Sequence, residues 1–149
     1  MIPKIIHYCW FGRGPMPELA QKCIASWQKI LPEYEYRLWN EDSFDVNSVD
    51  YVSEAYQARK YAFVTDYVRL WALYNFGGVY MDTDVEILKP LDKFLDLPAF
   101  TGYEASNSMS PVTGLMASAA NGVWVKEQLM YYTGKHFKNT DGSLDLTSN

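Results

Sequence analysis

The stretch from Tyr61 to Val85 constrains the fold more than any other part of the chain. Val64, Val68, Trp71, Ala72 and Tyr74 follow a helical apolar spacing that predicts a helix over 61–76, about four turns long. Gly77-Gly78 stops it, where a left-handed residue after the last turn is expected. Val79-Tyr80-Met81 follows at once as a short buried strand and runs straight into Asp82-Thr83-Asp84. Val85 to Leu88 is expected to prolong that extended run until Pro90. A long helix that returns directly as a buried strand is one half of an αβ layer.

The rest of the chain repeats this alternation. Lys4 to Cys9 is a β-branched, apolar run and predicts a first strand, broken by Trp10-Phe11-Gly12-Arg13-Gly14-Pro15. Pro17 and Glu18 suit a helix first turn, with Leu19, Cys23, Trp27, Ile30 and Leu31 as the apolar stripe and Pro32 as the stop. Tyr36 to Trp39 predicts a second strand, Asp50 to Ala58 a short helix, Ala99 to Tyr103 and Leu115 to Ala119 further strands, and Val123 to Tyr132 a last helix. From Thr133 the chain turns polar and aperiodic. There is no internal repeat and no linker, so residues 1–149 read as a single α/β domain, with a mostly parallel central sheet and helices on both faces. In such sheets ligands sit beyond the carboxyl ends of the strands. Trp10 and the Asp82 pair both fall at that edge.

Composition limits the partners. The net charge is -5, with no run of Lys or Arg, so the chain lacks the positive field that nucleic-acid binding requires. Cys9 and Cys23 form no CxxC pair, and His7 and His136 lie far apart, which argues against a zinc site. Free thiols and an amino terminus without a long apolar run predict a cytoplasmic chain. Aromatic residues make up 16%, which fits rings that stack on sugars or bases as well as ordinary core packing.

Three constellations carry chemistry. In an extended segment alternate residues share a side, so Asp82 and Asp84 can converge on one cation. Hard oxygen ligands with open positions favour Mg²⁺ or Mn²⁺ bridging to a diphosphate. The competing reading is a solvated acidic turn. Asp66 and Arg69 stand three apart on one face of the long helix, either as a surface ion pair or as groups facing the pocket. Trp10, just past the first strand, is either a core residue or a platform for a base. Tyr80 alternates away from Met81 and therefore shares the side of Asp82. His7 reads as a strand residue with a satisfied hydrogen bond and no functional role.

Ile5-Ile6-His7, Trp10-Phe11-Gly12, Leu38-Trp39-Asn40, Ala62-Phe63-Val64-Thr65-Asp66-Tyr67-Val68-Arg69 and Tyr74 to Val85 together resemble the DxD-containing glycosyltransferases of family 32. Bacterial capsular-polysaccharide enzymes and a yeast initiating mannosyltransferase belong there, and the catalytic domains of clostridial glucosylating toxins are related. The resemblance spans nearly the whole chain. It implies a GT-A-like fold, a UDP- or GDP-sugar donor, Mn²⁺ or Mg²⁺, and retention of anomeric configuration. It implies further that Asp84 is the direct metal ligand, while Asp82 holds the donor ribose and supports the metal. Asp66 and Arg69 would bind the transferred sugar, Trp10 would stack on the base, and Thr65 would touch the ribose. The acceptor implied is a glycan or a lipid-linked glycan, as in capsule or surface-polysaccharide synthesis, with peripheral association at the inner face of the membrane.

Family members usually continue into a C-terminal segment that completes the metal and leaving-group site. Thr133 to Asn149 does not match it, so the chain is expected to be truncated, and to bind a donor more readily than it turns one over. Two other classes compete. An aspartyl-nucleophile phosphohydrolase also places Asp-x-Asp after an apolar strand, but usually near the start of its domain. A binding module without turnover is the third reading.

Overall fold

The structure is a computed structural model that describes residues 1–103 and 111–147. Its elements in chain order are β1 (Ile5–Cys9), α1 (Glu18–Ile30), β2 (Glu35–Trp39), α2 (Asp50–Gln57), α3 (Tyr61–Phe76), β3 (Gly78–Met81), β4 (Ala99–Tyr103), β5 (Pro111–Ser118) and α4 (Val123–Met130). The strands form one sheet in the order β2-β1-β3-β5-β4. β1 runs parallel to β2 and to β3, while β5 is antiparallel to both β3 and β4. Four of the five strands thus point the same way, which makes the sheet mostly parallel.

Strand alternation divides the core. Ile6, Val79, Met81 and Ala117 face Trp27 and Leu31 at α1. Cys9, Tyr80 and Met116 face the other way, against Val64, Val68, Ala72 and Leu73 of α3, with Tyr51 and Val52 of α2 and Val125 of α4 in the same layer. Helices therefore cover both faces, as the α/β reading requires. α3 buries residues around much of its circumference, including Arg69. A helix packed on more than one side is apolar nearly all round.

The Gly77-Gly78 stop has a steric cause. Gly77 takes φ 68° and ψ 172°, a positive φ outside the left-handed helical well, and Gly78 takes φ 123°. A Cβ on Gly77 would lie 2.7 Å from the Ala120 nitrogen, and one on Gly78 would lie 2.6 Å from the Ile5 carbonyl oxygen. Only glycine lets α3 drop directly into the central strand beside β1. His7 closes the junction: its Nε2 donates to the Gly77 carbonyl oxygen at 2.8 Å, and its Nδ1 accepts from the Trp39 indole at 3.0 Å. The ring is satisfied on both nitrogens in its neutral form, which matches the expectation of a strand residue with a satisfied hydrogen bond.

Two expectations need correcting. Val85 to Leu88 does not prolong β3, because the chain turns at Asp82, with the Val85 N–H donating to the Asp82 carbonyl at 3.0 Å. Side chains of α1 then take the backbone groups a strand partner would have used. Trp27 donates to the Val85 carbonyl at 2.7 Å, and Ser26 Oγ accepts the Ile87 N–H at 3.1 Å. Leu19 is 61% exposed, since the buried stripe of α1 runs through Ala20, Cys23 and Trp27, one residue around the helix. The polar, aperiodic tail packs on this core through Phe137, which is fully buried against Tyr51 and Phe63. Glu54 of α2 pins this tail by accepting the Lys138 N–H at 2.9 Å and pairing with His136 at 2.7 Å.

Candidate functional site

The carboxyl ends of β1 and β3 open into a cleft of about 600 Å³, lined among others by Trp10, Thr65, Asp66, Arg69, Tyr80, Asp82 and Asp84. All seven residues singled out from the sequence therefore meet on one surface. They arrive from three places: the loop after β1, one face of α3, and the end of β3 with the turn that follows.

Arg69 ties these elements together. Its side chain is only 5% exposed, and its Nη2 lies 3.4 Å from Asp66 Oδ1 and 3.2 Å from Asp82 Oδ1. Nε donates to the Thr65 carbonyl at 3.2 Å, and Nη1 donates to the Thr113 carbonyl of β5 at 2.5 Å. The guanidinium also lies over the Tyr80 ring, 4.5 Å from its centroid. This is no surface ion pair. A buried guanidinium is stable only where charges and carbonyls replace its water, and here two carboxylates and two carbonyls do so.

Asp82 is held by one oxygen and open at the other. Oδ1 accepts the Tyr80 hydroxyl at 2.8 Å and faces Arg69, whereas Oδ2 takes no hydrogen bond among the described residues. Tyr80 is fully buried, and burial holds its hydroxyl well above the usual range, so it remains a donor to Asp82. Gly114 of β5 makes room there: a Cβ would lie 3.1 Å from Asp82 Oδ2. Asp84 is exposed and makes no hydrogen bond or ion pair among the described residues. The two aspartates share the cleft because the chain turns at Asp82, not because they alternate along a strand.

The donor chemistry fits a hard cation. Among the described residues no group of three or more His, Cys, Asp or Glu side chains forms a metal cage. Mg²⁺ and Mn²⁺ do not need one, since one or two carboxylates suffice when water and phosphate oxygens complete the shell. Asp82 Oδ2 and Asp84, which both line the cleft, could supply such oxygens.

Asp66 is half-buried, and burial pushes its carboxyl up, with Arg69 opposing the shift and Asp82 adding to it. Cys9 also lines the cleft, but burial pushes its thiol up to about 12, too high for a thiolate nucleophile at neutral pH. Trp10 is half-buried, and its indole N–H donates to the Gly14 carbonyl at 2.8 Å. What it offers a ligand is therefore its ring. The Thr65 hydroxyl donates to the Ala62 carbonyl at 2.8 Å. Tyr61, Phe63 and Thr113 line the cleft as well, and the sequence reading missed them. Tyr61 and Phe63 read there only as helix residues, and Thr113 acts through a backbone carbonyl that no residue pattern reveals.

Over 113 residues the chain is 34% identical to inositol phosphoceramide mannosyltransferase 3 of Schizosaccharomyces pombe, covering 73% of this chain and 32% of that protein. It is 32% identical over 108 residues to mannosyl phosphorylinositol ceramide synthase CSH1 of Saccharomyces cerevisiae, covering 67% and 27% respectively. The chain thus spans about a third of the length of these relatives. Among solved structures it superposes on the PaToxG glycosyltransferase with a TM-score of 0.66 at 21% identity, over 90% of this chain and 63% of that one, a likeness of fold. Residues 17–101 match the family described as the glycosyltransferase sugar-binding region containing the DXD motif, and the chain belongs to that family.

Proposed function

We propose that this chain forms the donor site of a retaining hexosyltransferase that binds a UDP- or GDP-sugar with Mn²⁺ or Mg²⁺. The observation that carries this reading is the Arg69 tie, which sets Asp66 of α3 and Asp82 of β3 on one cleft wall. A site for a sugar diphosphate needs hydroxyl acceptors and a metal-binding carboxylate side by side, and this tie holds them so.

In this reading Asp84 and Asp82 Oδ2 hold the cation. When bound, it supplies the positive charge that an acidic chain lacks and stabilises charge on the departing diphosphate. Asp66 accepts hydroxyl hydrogens of the transferred sugar, and Arg69 holds Asp66 in place. The Trp10 ring stacks on the base, while Thr65, Tyr80 and Asp82 border the ribose. The acceptor is a glycan or a lipid-linked molecule. The relatives' names speak for mannose and for an inositol phosphoceramide, so we favour a lipid acceptor over a capsular polysaccharide. That choice places the protein at a membrane surface as a peripheral component. No described helix is long and apolar enough to cross a membrane.

The family match and the Asp66–Arg69–Asp82 arrangement also tell against an aspartyl-nucleophile phosphohydrolase. Donor binding is the part of the reaction that this reading assigns to the described residues. The test is calorimetric titration of a panel of UDP- and GDP-sugars with and without Mn²⁺. Binding of one nucleotide class only with metal is the expected result, and no binding by any donor would overturn the reading.

A further inference from the structure

The wall of the cleft formed by the loop after β1 has an unusual backbone. Gly12 takes φ 101° and the next residue, Arg13, takes φ 62°, a left-handed conformation that non-glycine residues rarely adopt. Such a conformation persists only where the surroundings over-determine it. Here the surroundings are two adjacent acids from the loop after β2. Glu41 Oε2 accepts both the Gly12 N–H at 2.6 Å and the Tyr56 hydroxyl at 2.7 Å. Asp42 takes the Arg13 guanidinium through both oxygens, at 2.8 and 3.1 Å.

The two acids do not count equally. The Arg13 and Asp42 side chains are 59% and 70% exposed, and an ion pair so open to solvent contributes little. Glu41 is half-buried, and charge-assisted bonds from an amide and a phenol converge on one of its oxygens. Gly12 is seated against Tyr61, the first residue of α3, whose Cε2 would lie 2.6 Å from a Cβ at that position. Tyr61 itself packs on Tyr56, with ring centroids 5.5 Å apart. Glu41 therefore joins the Trp10–Gly14 loop, α2 and the start of α3. It does not line the cleft.

We infer that Glu41 is a positioning residue for the nucleotide of the donor. It fixes the loop that carries Trp10 by holding Gly12, without touching the ligand. This inference rests on the donor-site reading above. A loop already locked in its bound shape loses less freedom on binding, so its lock acts on nucleotide affinity and not on the metal.

The test measures UDP and GDP binding to the full chain in Mn²⁺ by calorimetry, for the unaltered protein, Glu41→Ala, Glu41→Gln and Tyr56→Phe. Glu41→Ala is expected to weaken the nucleoside diphosphate that binds by about tenfold or more, while Gln, which keeps an acceptor oxygen, stays within about threefold. Affinity for Mn²⁺ alone stays unchanged, and the Gly12 amide hydrogen exchanges faster in the Ala variant. Equal nucleotide affinity in folded Glu41→Ala overturns the inference, as does a parallel loss of Mn²⁺ affinity. Should Glu41→Ala not fold, Tyr56→Phe carries the test, with about a threefold loss expected and no loss overturning it. An unaltered chain that binds neither nucleotide sinks the donor-site reading itself, and this inference with it.

Discussion

Arg69 and Asp82 meet at 3.2 Å through the same carboxylate oxygen that accepts the Tyr80 hydroxyl at 2.8 Å. The other carboxylate oxygen of Asp82 is thereby left to the cleft. One buried cation orients the aspartate, whose other oxygen takes no hydrogen bond among the described residues in the cleft that exposed Asp84 also lines.

Removing the cation should cost both fold and site. Arg69→Met leaves Asp66, Asp82 and the Thr65 and Thr113 carbonyls without their shared donor. Breaking such a buried set is expected to destabilise the chain by about 3–5 kcal/mol, measurable as a shift in the urea midpoint. Arg69→Lys keeps the charge but not the planar fork and should recover only part of the loss. A midpoint unchanged in both variants would refute the role of Arg69 as a tie.

Stability should fall with acid through His7. Burial lowers its pKa from 6.5 to about 4, with the charge of Arg37 adding to the effect against the Gly77 hydrogen bond. Above about pH 6.5 the ring is neutral in both folded and unfolded chains. Between 6.5 and about 4 the unfolded chain takes up a proton that the folded one refuses, so stability declines and the contribution is gone below that window. The difference amounts to about 3 kcal/mol. An NMR titration of the His7 ring in the folded chain checks the cause directly, and a midpoint near 6.5 would contradict it.

Gly78→Ala should be among the most damaging small substitutions. The added Cβ would meet the Ile5 carbonyl oxygen at 2.6 Å, at a φ of 123° that alanine tolerates poorly. A loss of about 3 kcal/mol or more is expected, read by thermal or urea unfolding. Gly134→Ala provides the contrast. Its φ is 70°, but nothing lies within 4 Å, so only the backbone term applies.

Phe137→Ala tests whether the tail belongs to the core. The side chain is fully buried between Tyr51 and Phe63, and its truncation should cost about 3–5 kcal/mol. A surface tail would lose almost nothing.

These cases show what the residue pattern could and could not convey. Helix α3 spans Tyr61–Phe76 as predicted, because the glycines that end it have no alternative use. Strand alternation placed Tyr80 on the Asp82 side, and the hydrogen bond between them agrees. The turn at Asp82 was not legible, because it depends on Trp27 and Ser26, distant in sequence, taking up the backbone of Val85 and Ile87. The Phe137 contact was equally hidden, since one aromatic residue in a polar run has no periodicity to read. No residue pattern singles out Glu41, and its bonds to Gly12 and Tyr56 join segments far apart in sequence.

The central claim is that Asp84 and the free oxygen of Asp82 hold the cation that binds the donor diphosphate. Mn²⁺ electron paramagnetic resonance in the presence of UDP or GDP tests it most directly, comparing the unaltered chain with Asp84→Ala. Asp84 is exposed and without a partner among the described residues, so its loss should shift stability by no more than about 0.5 kcal/mol. The expected result is Mn²⁺ bound in the nucleotide complex of the unaltered chain and free in that of the folded variant. Equal Mn²⁺ binding by the two proteins would contradict the account.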